Sequence, residues 1–163
     1  MIDRALYTAV WKELSSEKSM VLLAGPRQCG KTTLAQTLSE AFVNRLYFNW
    51  DIPTDKRRLI ENPFFFQDIV RKDESRPLVI LDEIHKYKAW KNYLKGIYDR
   101  FHAEFLFLVS GSGRLDLYQK GGDSLLGRYH LHRLHPFTVG ELLTGGRQDV
   151  LAPDELDRRL DAL

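Results

Sequence analysis

The run Gly25-Pro26-Arg27-Gln28-Cys29-Gly30-Lys31-Thr32 matches the phosphate-loop pattern G-x-x-x-x-G-K-[ST] at every defined position. At ordinary glycine frequency a chance match in a chain this long is on the order of one in 200, so the run is read as a site. Before it stands the strand-type apolar run Met20-Val21-Leu22-Leu23-Ala24, and after it residues 33–42 carry Leu34, Leu38 and Phe42 at helical spacing. Strand, glycine loop and helix together make the pattern a binding site. Backbone N–H groups of such a loop form a concave nest, and the helix behind them presents its positive end, so a polyphosphate meets donors already aimed at it. Gly25 and Gly30 let the chain turn tightly and approach phosphate without a side chain in the way. Lys31 is expected to reach the β- and γ-phosphates and Thr32 to offer its hydroxyl to Mg²⁺. The nucleotide contacts are expected from Gly25, Pro26, Arg27, Gln28, Cys29, Gly30, Lys31, Thr32 and Thr33.

A second element sets the chemistry. Leu78-Val79-Ile80-Leu81 is an unbroken apolar run, as a strand buried on both faces of a parallel sheet requires, and it ends in Asp82-Glu83. Carboxylates at the C-terminal end of such a strand face the crevice in which α/β folds bind ligands. The pair reads as a Walker B element: Asp82 holds Mg²⁺ through a water, and Glu83 polarises the attacking water as general base. The blander reading is two acids capping the next helix, which is compatible with the first. No N-K-x-D guanine-reading motif occurs in the chain. ATP is therefore favoured over GTP, and hydrolysis over binding alone.

The 163 residues suffice for one domain with a sizeable core. No apolar run approaches the roughly 18 residues that span a bilayer, and Met1-Ile2-Asp3-Arg4 is unlike a secretory signal. One cysteine excludes an intramolecular disulfide and suits a reducing cytoplasm. A net charge of +2 is too small to argue for nucleic acid or an anionic membrane. Helices are expected over 3–14 (Leu6, Val10 and Leu14 on one face), over 53–72 in pieces with Pro63 opening the second, over 85–102, 138–143 and 154–163. Further strands are expected at 45–50, 105–109 and 129–134. Phe64, Phe65 and Phe66 read as core. This alternation predicts a three-layer α/β sandwich on a parallel sheet.

The motifs now stand in order: Gly25-Pro26-Arg27-Gln28 with Gly30-Lys31-Thr32-Thr33, Asn49-Trp50-Asp51, Leu81-Asp82-Glu83-Ile84 with Lys86, Ser110-Gly111-Ser112, Leu126-Gly127-Arg128, and Gly140-Glu141-Leu142. Together they resemble prokaryotic AAA-superfamily ATPases of the G-P-R-Q-x-G-K-T-T type. The resemblance implies a P-loop NTPase sheet in the order 5-1-4-3-2 and an ATPase with a poorly defined client. It implies one ATPase domain over 1–163, with an N-terminal helix in 1–18, a core in 19–143, and in 144–163 the start of a winged-helix-like C-terminal region that is cut short. A polar sensor at the end of the strand beside Walker B corresponds to Ser112, with Ser110 as the alternative. Arg128 corresponds to a trans-acting arginine finger, which implies a homo-oligomer; Arg114 is the weaker candidate. Cys29 departs from the small residue usual in the group, and Gly113-Arg114 from a usual serine.

Other residues invite weaker readings. Cys29 beside Lys31 and a helix N-terminus suggests redox control, against the simpler reading of a tolerated substitution. His130, His132 and His135 lack interleaved ligands and read as strand histidines rather than a metal site. Lys86, Lys88, Lys91 and Lys95 among Tyr87, Trp90 and Tyr93 could form a nucleic-acid surface, but the aromatic spacing suits a core stripe better. The expected function is Mg²⁺-dependent ATP hydrolysis coupled to an unidentified protein client. The alternatives are a nucleotide-dependent regulatory switch and a small-molecule kinase with 113–128 as its lid.

Overall fold

Apolar residues run unbroken through the central strands, so these strands must be covered on both faces. The computed structural model describes residues 4–112 and 125–144 and has this architecture. Strands β1 (Met20–Gly25), β2 (Arg45–Asn49), β3 (Leu78–Asp82), β4 (Leu106–Ser112) and β5 (His130–Arg133) form one sheet in the order β2-β3-β4-β1-β5. All four pairings are parallel. Counted from the β5 edge, this is the expected 5-1-4-3-2 order.

Strand side chains alternate between faces, and two cores result. Val21, Leu23, Leu78, Ile80 and Leu108 pack with Trp11 of α1 (Ala5–Glu17) and with Leu34, Ala35 and Leu38 of α2 (Lys31–Ser39). Leu22, Phe48, Val79, Leu81, Phe107 and Val109 pack on the opposite face. There they meet Leu59 of α3 (Pro53–Glu61) and Leu94, Ile97 and Phe101 of α4 (Trp90–Phe101). Phe65 and Phe66 are fully buried there, and Phe66 meets Phe101, Phe105 and Phe107 edge to face.

Several elements differ from the sequence expectation for local reasons. α1 continues to Glu17, and its buried stripe is Tyr7, Trp11 and Leu14; Leu6 is 57% exposed. The large aromatic pair fixes the helix's rotation. α4 begins at Trp90 rather than His85: after β3 the chain makes a short 3₁₀ turn over Ile84–Lys86, and Tyr87 ends it with extended backbone. Pro53 rather than Pro63 supplies a first-turn proline, and the second piece of 53–72 is a single 3₁₀ turn, Phe65–Asp68. α5 (Val139–Thr144) opens with a reciprocal cap, in which Glu141 N–H donates to Thr138 Oγ1 and Thr138 N–H donates to Glu141 Oε2. Arg114, the 113–124 stretch of the lid-like segment and the 154–163 helix lie outside the described residues.

Candidate functional site

The C-terminal ends of β1, β2 and β3 and the start of α2 surround an open cleft of ≈ 600 Å³, lined by Arg27, Gln28, Gly30, Lys31, Thr32, Thr33, Asn49, Asp51, Asp82, Glu83 and Lys86. The loop and the acidic pair, far apart in sequence, therefore share one crevice. Gly30 caps α2 at φ 89°, a left-handed conformation that favours glycine. Gly25 is required for a different reason. A Cβ there would collide with the Leu134 carbonyl oxygen and the Cys29 sulfur. Leu134 N–H donates to Ala24 O at 2.8 Å, so the chain after β5 is laced to the base of the loop.

Cys29 faces inward. Its thiol is buried with the α2 core, 3.9 Å from Lys31 Nζ. The Lys31 ammonium is folded back on its own loop, donating to Gly25 O at 3.1 Å and Pro26 O at 2.6 Å.

Asp82 is 1% exposed and accepts three hydroxyls. Thr32 Oγ1 donates to its Oδ2 at 2.8 Å, Tyr47 Oη donates to the same oxygen at 2.7 Å, and Ser110 Oγ donates to Oδ1. Among the described residues no cation pairs with this carboxylate. A buried charge met by hydroxyls alone fits a metal ion beside it. No cluster of three His, Cys, Asp or Glu side chains occurs among the described residues, so Thr32, water and phosphate would have to supply most of the ligands, with Asp82 beside them. Burial pushes the Tyr47 phenol well above its ordinary range, and the Asp82 charge adds to the effect, so the phenol remains a donor.

Glu83 has φ 56°, unusual for a non-glycine residue, and its N–H donates to Ser110 O at 2.9 Å. Its Oε2 lies 3.1 Å from Lys86 Nζ, which also meets Asp51 Oδ2 at 2.5 Å. The hydrogen bond to Asp51, together with Glu83, holds the Lys86 ammonium above its ordinary range despite partial burial. Lys86 thus links the acid after β3 to the acid after β2.

Two further expected site residues stand at strand ends. Ser112 ends β4 opposite Gly25, but its side chain falls outside those described. The Ser110 side chain, two residues earlier, donates to Asp82. Arg128 lies just before β5, at the edge where the strands begin, and forms a forked ion pair with Asp99 of α4 at 2.6 and 3.1 Å. The histidines also have local roles: His130 pairs with Glu17, His132 meets the Tyr7 carbonyl, and the His135 carbonyl accepts from Arg4. Trp90 is buried and Tyr87 and Tyr93 pack half-buried against the same core, as a core stripe would. Sequence reasoning missed Tyr47, which read as a mid-strand aromatic; its signal was a polar tip two residues before Asn49.

A parallel sheet in this order, with the glycine loop after β1 and the acidic pair after β3, is a P-loop NTPase α/β fold. The chain belongs to the AAA-domain family, whose model matches residues 17–143. Two uncharacterised mycobacterial proteins, from Mycobacterium bovis and Mycobacterium tuberculosis, are each 28% identical over 142 residues, covering 87% of this chain and 31% of their own length. The chain therefore spans about a third of the length of these curated relatives. A guanylate kinase of Mycoplasma genitalium is 28% identical over 87 residues, covering 52% of this chain and 35% of the kinase. A Walker-type ATPase of Pyrococcus abyssi superposes over 100% of this chain and 63% of its own, at TM-score 0.62 and 15% identity, which speaks to the fold. Family and fold support nucleotide binding. No helix among the described residues is long and apolar enough to cross a membrane.

Proposed function

We propose that the chain is the Mg²⁺-dependent ATP-hydrolysing module of a cytoplasmic AAA-type ATPase of the G-P-R-Q-x-G-K-T-T group, coupled to a protein client. The observation that carries the reading is the Thr32 hydroxyl 2.8 Å from the buried Asp82 carboxylate, at the mouth of a glycine loop. The loop amides and the start of α2 hold the phosphates, and Lys31 leaves the carbonyls of Gly25 and Pro26 to neutralise their charge. Thr32 and Asp82 would hold Mg²⁺, which offsets charge on the β- and γ-phosphates. Glu83 orients water and takes its proton as the water oxygen bonds to the γ-phosphorus and the bond to the β–γ bridging oxygen breaks. Ser110 or Ser112 reports the γ-phosphate, and Arg128 serves a neighbouring subunit.

Two variants test this. Lys31→Ala should lose tight ATP binding in equilibrium titration. Glu83→Gln should bind ATP as the parent does while single-turnover hydrolysis falls about 10²–10⁴-fold; normal hydrolysis by Glu83→Gln removes the base assignment. Phosphoryl transfer to a small acceptor is the second reading, favoured by the likeness to a guanylate kinase. Labelled ATP separates the two: free phosphate supports hydrolysis and a phosphorylated acceptor supports the kinase.

A further inference from the structure

Asp82 carries four lone-pair positions on its two oxygens. Thr32 and Tyr47 both donate to Oδ2, at 2.8 and 2.7 Å, and Ser110 occupies one position on Oδ1. Among the described residues Oδ2 is therefore full, and a single position on Oδ1 is left. Behind Tyr47 the chain of bonds continues: Asn49 Nδ2 donates to Tyr47 Oη at 3.3 Å, and Asn49 Oδ1 accepts from Asp51 N–H at 2.9 Å. The donor to the phenol oxygen leaves the phenol's own proton for Asp82. Tyr47 is on β2, Thr32 on α2 and Ser110 on β4, so the carboxylate is gripped from three elements.

We infer that Tyr47 is a positioning residue for the metal, holding Asp82 Oδ2 so that the carboxylate accepts hydrogen bonds beside the ion instead of ligating it through that oxygen. The inference rests on the Mg²⁺-nucleotide reading above. When Thr32 turns its oxygen toward a cation, its proton still points at Asp82; Tyr47 keeps the acceptor where that proton needs it. Without the phenol, Oδ2 gains an open position next to the cation, and the aspartate is free to rotate. The metal site then loses its fixed outer shell, while the loop amides that hold phosphate are untouched. Outer-shell partners of this type commonly carry 10–100-fold in metal affinity.

The experiment uses a fluorescent ADP analogue as probe, bound to the protein first in EDTA and then with Mg²⁺ titrated in. Tyr47→Phe keeps the ring and removes the hydroxyl. It should raise the Mg²⁺ concentration at half-effect about 10-fold or more and leave affinity in EDTA within about two-fold, a split that no purely structural defect produces. Asn49→Leu, which keeps the phenol but strips its donor, should shift the Mg²⁺ midpoint in the same direction by a smaller factor, and serves if the first variant does not fold. An unchanged Mg²⁺ midpoint in Tyr47→Phe overturns the inference, as does an equal loss of affinity with and without metal. If the parent protein shows no Mg²⁺ dependence at all, the proposed function fails with it, whereas a normal parent beside a normal variant removes the role of Tyr47 alone.

Discussion

With its ammonium on the carbonyls of Gly25 and Pro26, Lys31 satisfies in cis the charge that a phosphate would otherwise meet. The buried lysine keeps donors paired while the loop is held in shape from behind. Gly25 is the residue on which that shape depends most. A methyl group there meets the Leu134 carbonyl, which is itself fixed by the bond from Leu134 N–H to Ala24 O. That carbonyl is backbone and cannot swing aside as a side-chain end could. Gly25→Ala should therefore destabilise the fold by about 1–3 kcal/mol, as overpacking of a filled interior does. The measurement is the urea midpoint, and nucleotide affinity should fall alongside it. Gly30→Ala meets no atom, and its cost comes from the left-handed backbone alone.

At the scale of elements, a guanidinium joins parts of the chain that share no strand pairing. Arg4, 7% exposed, precedes α1 and donates to Glu141 of α5 at 2.9 and 3.2 Å, to Cys29 O of the loop at 3.2 Å and to His135 O at 2.9 Å. It also lies over the rings of Tyr7 and Phe137. Arg4→Ala should cost about 3 kcal/mol, because it leaves Glu141 and the carbonyls without their shared donor, and it should loosen α1 and α5 together in hydrogen exchange. Burial acts to raise the Glu141 pKa, but the Arg4 and Thr138 hydrogen bonds outweigh it and hold the carboxyl below its ordinary value. Its contribution is thus full above the ordinary carboxylate range and lost as pH falls through the folded value. Glu141→Gln should flatten the acid limb of the stability curve. The glycine loop and the acidic pair were legible in the sequence because each is a local pattern, and the sheet order followed from the family resemblance that those motifs carry. The Arg4 node was not, since its partners lie 25 to 137 residues away. Tyr47 was missed for the same reason: its partner Asp82 is 35 residues distant. The late start of α4 was hidden because Tyr87 and Trp90 fit a helical stripe whether or not the first turn forms.

The whole molecule has two ends, and they separate the proposed chemistry. The glycine loop follows Gly25 at one edge of the sheet, while Arg128 precedes β5 at the other, where Lys18 Nζ donates to Gly127 O beside the start of β1. From residue 19 to residue 25 the strand direction alone spans roughly 20 Å at about 3.3 Å per residue. Arg128 therefore has no access to phosphates bound at the loop of its own chain, and its fork on Asp99 holds it at the far end of the sheet. If it acts as a finger, it acts on a second copy, and complementation follows from geometry. Arg128→Ala retains an intact loop and base but offers its neighbour no finger, while Glu83→Gln offers the finger but lacks the base. Each alone should hydrolyse ATP slowly, Arg128→Ala about 10³-fold or more below the parent and Glu83→Gln about 10²–10⁴-fold below it. Mixed at equal concentration, the Glu83→Gln copies supply arginine to the Arg128→Ala copies, and hydrolysis should recover to a sizeable fraction of the parent rate, rising more steeply than linearly with total protein. The reading is steady-state phosphate release across a concentration series. Arg128→Ala hydrolysing at the parent rate, or a mixture no faster than the sum of its parts, leaves the Asp99 pair as a structural bond between α4 and the segment before β5, and the finger must then be sought elsewhere.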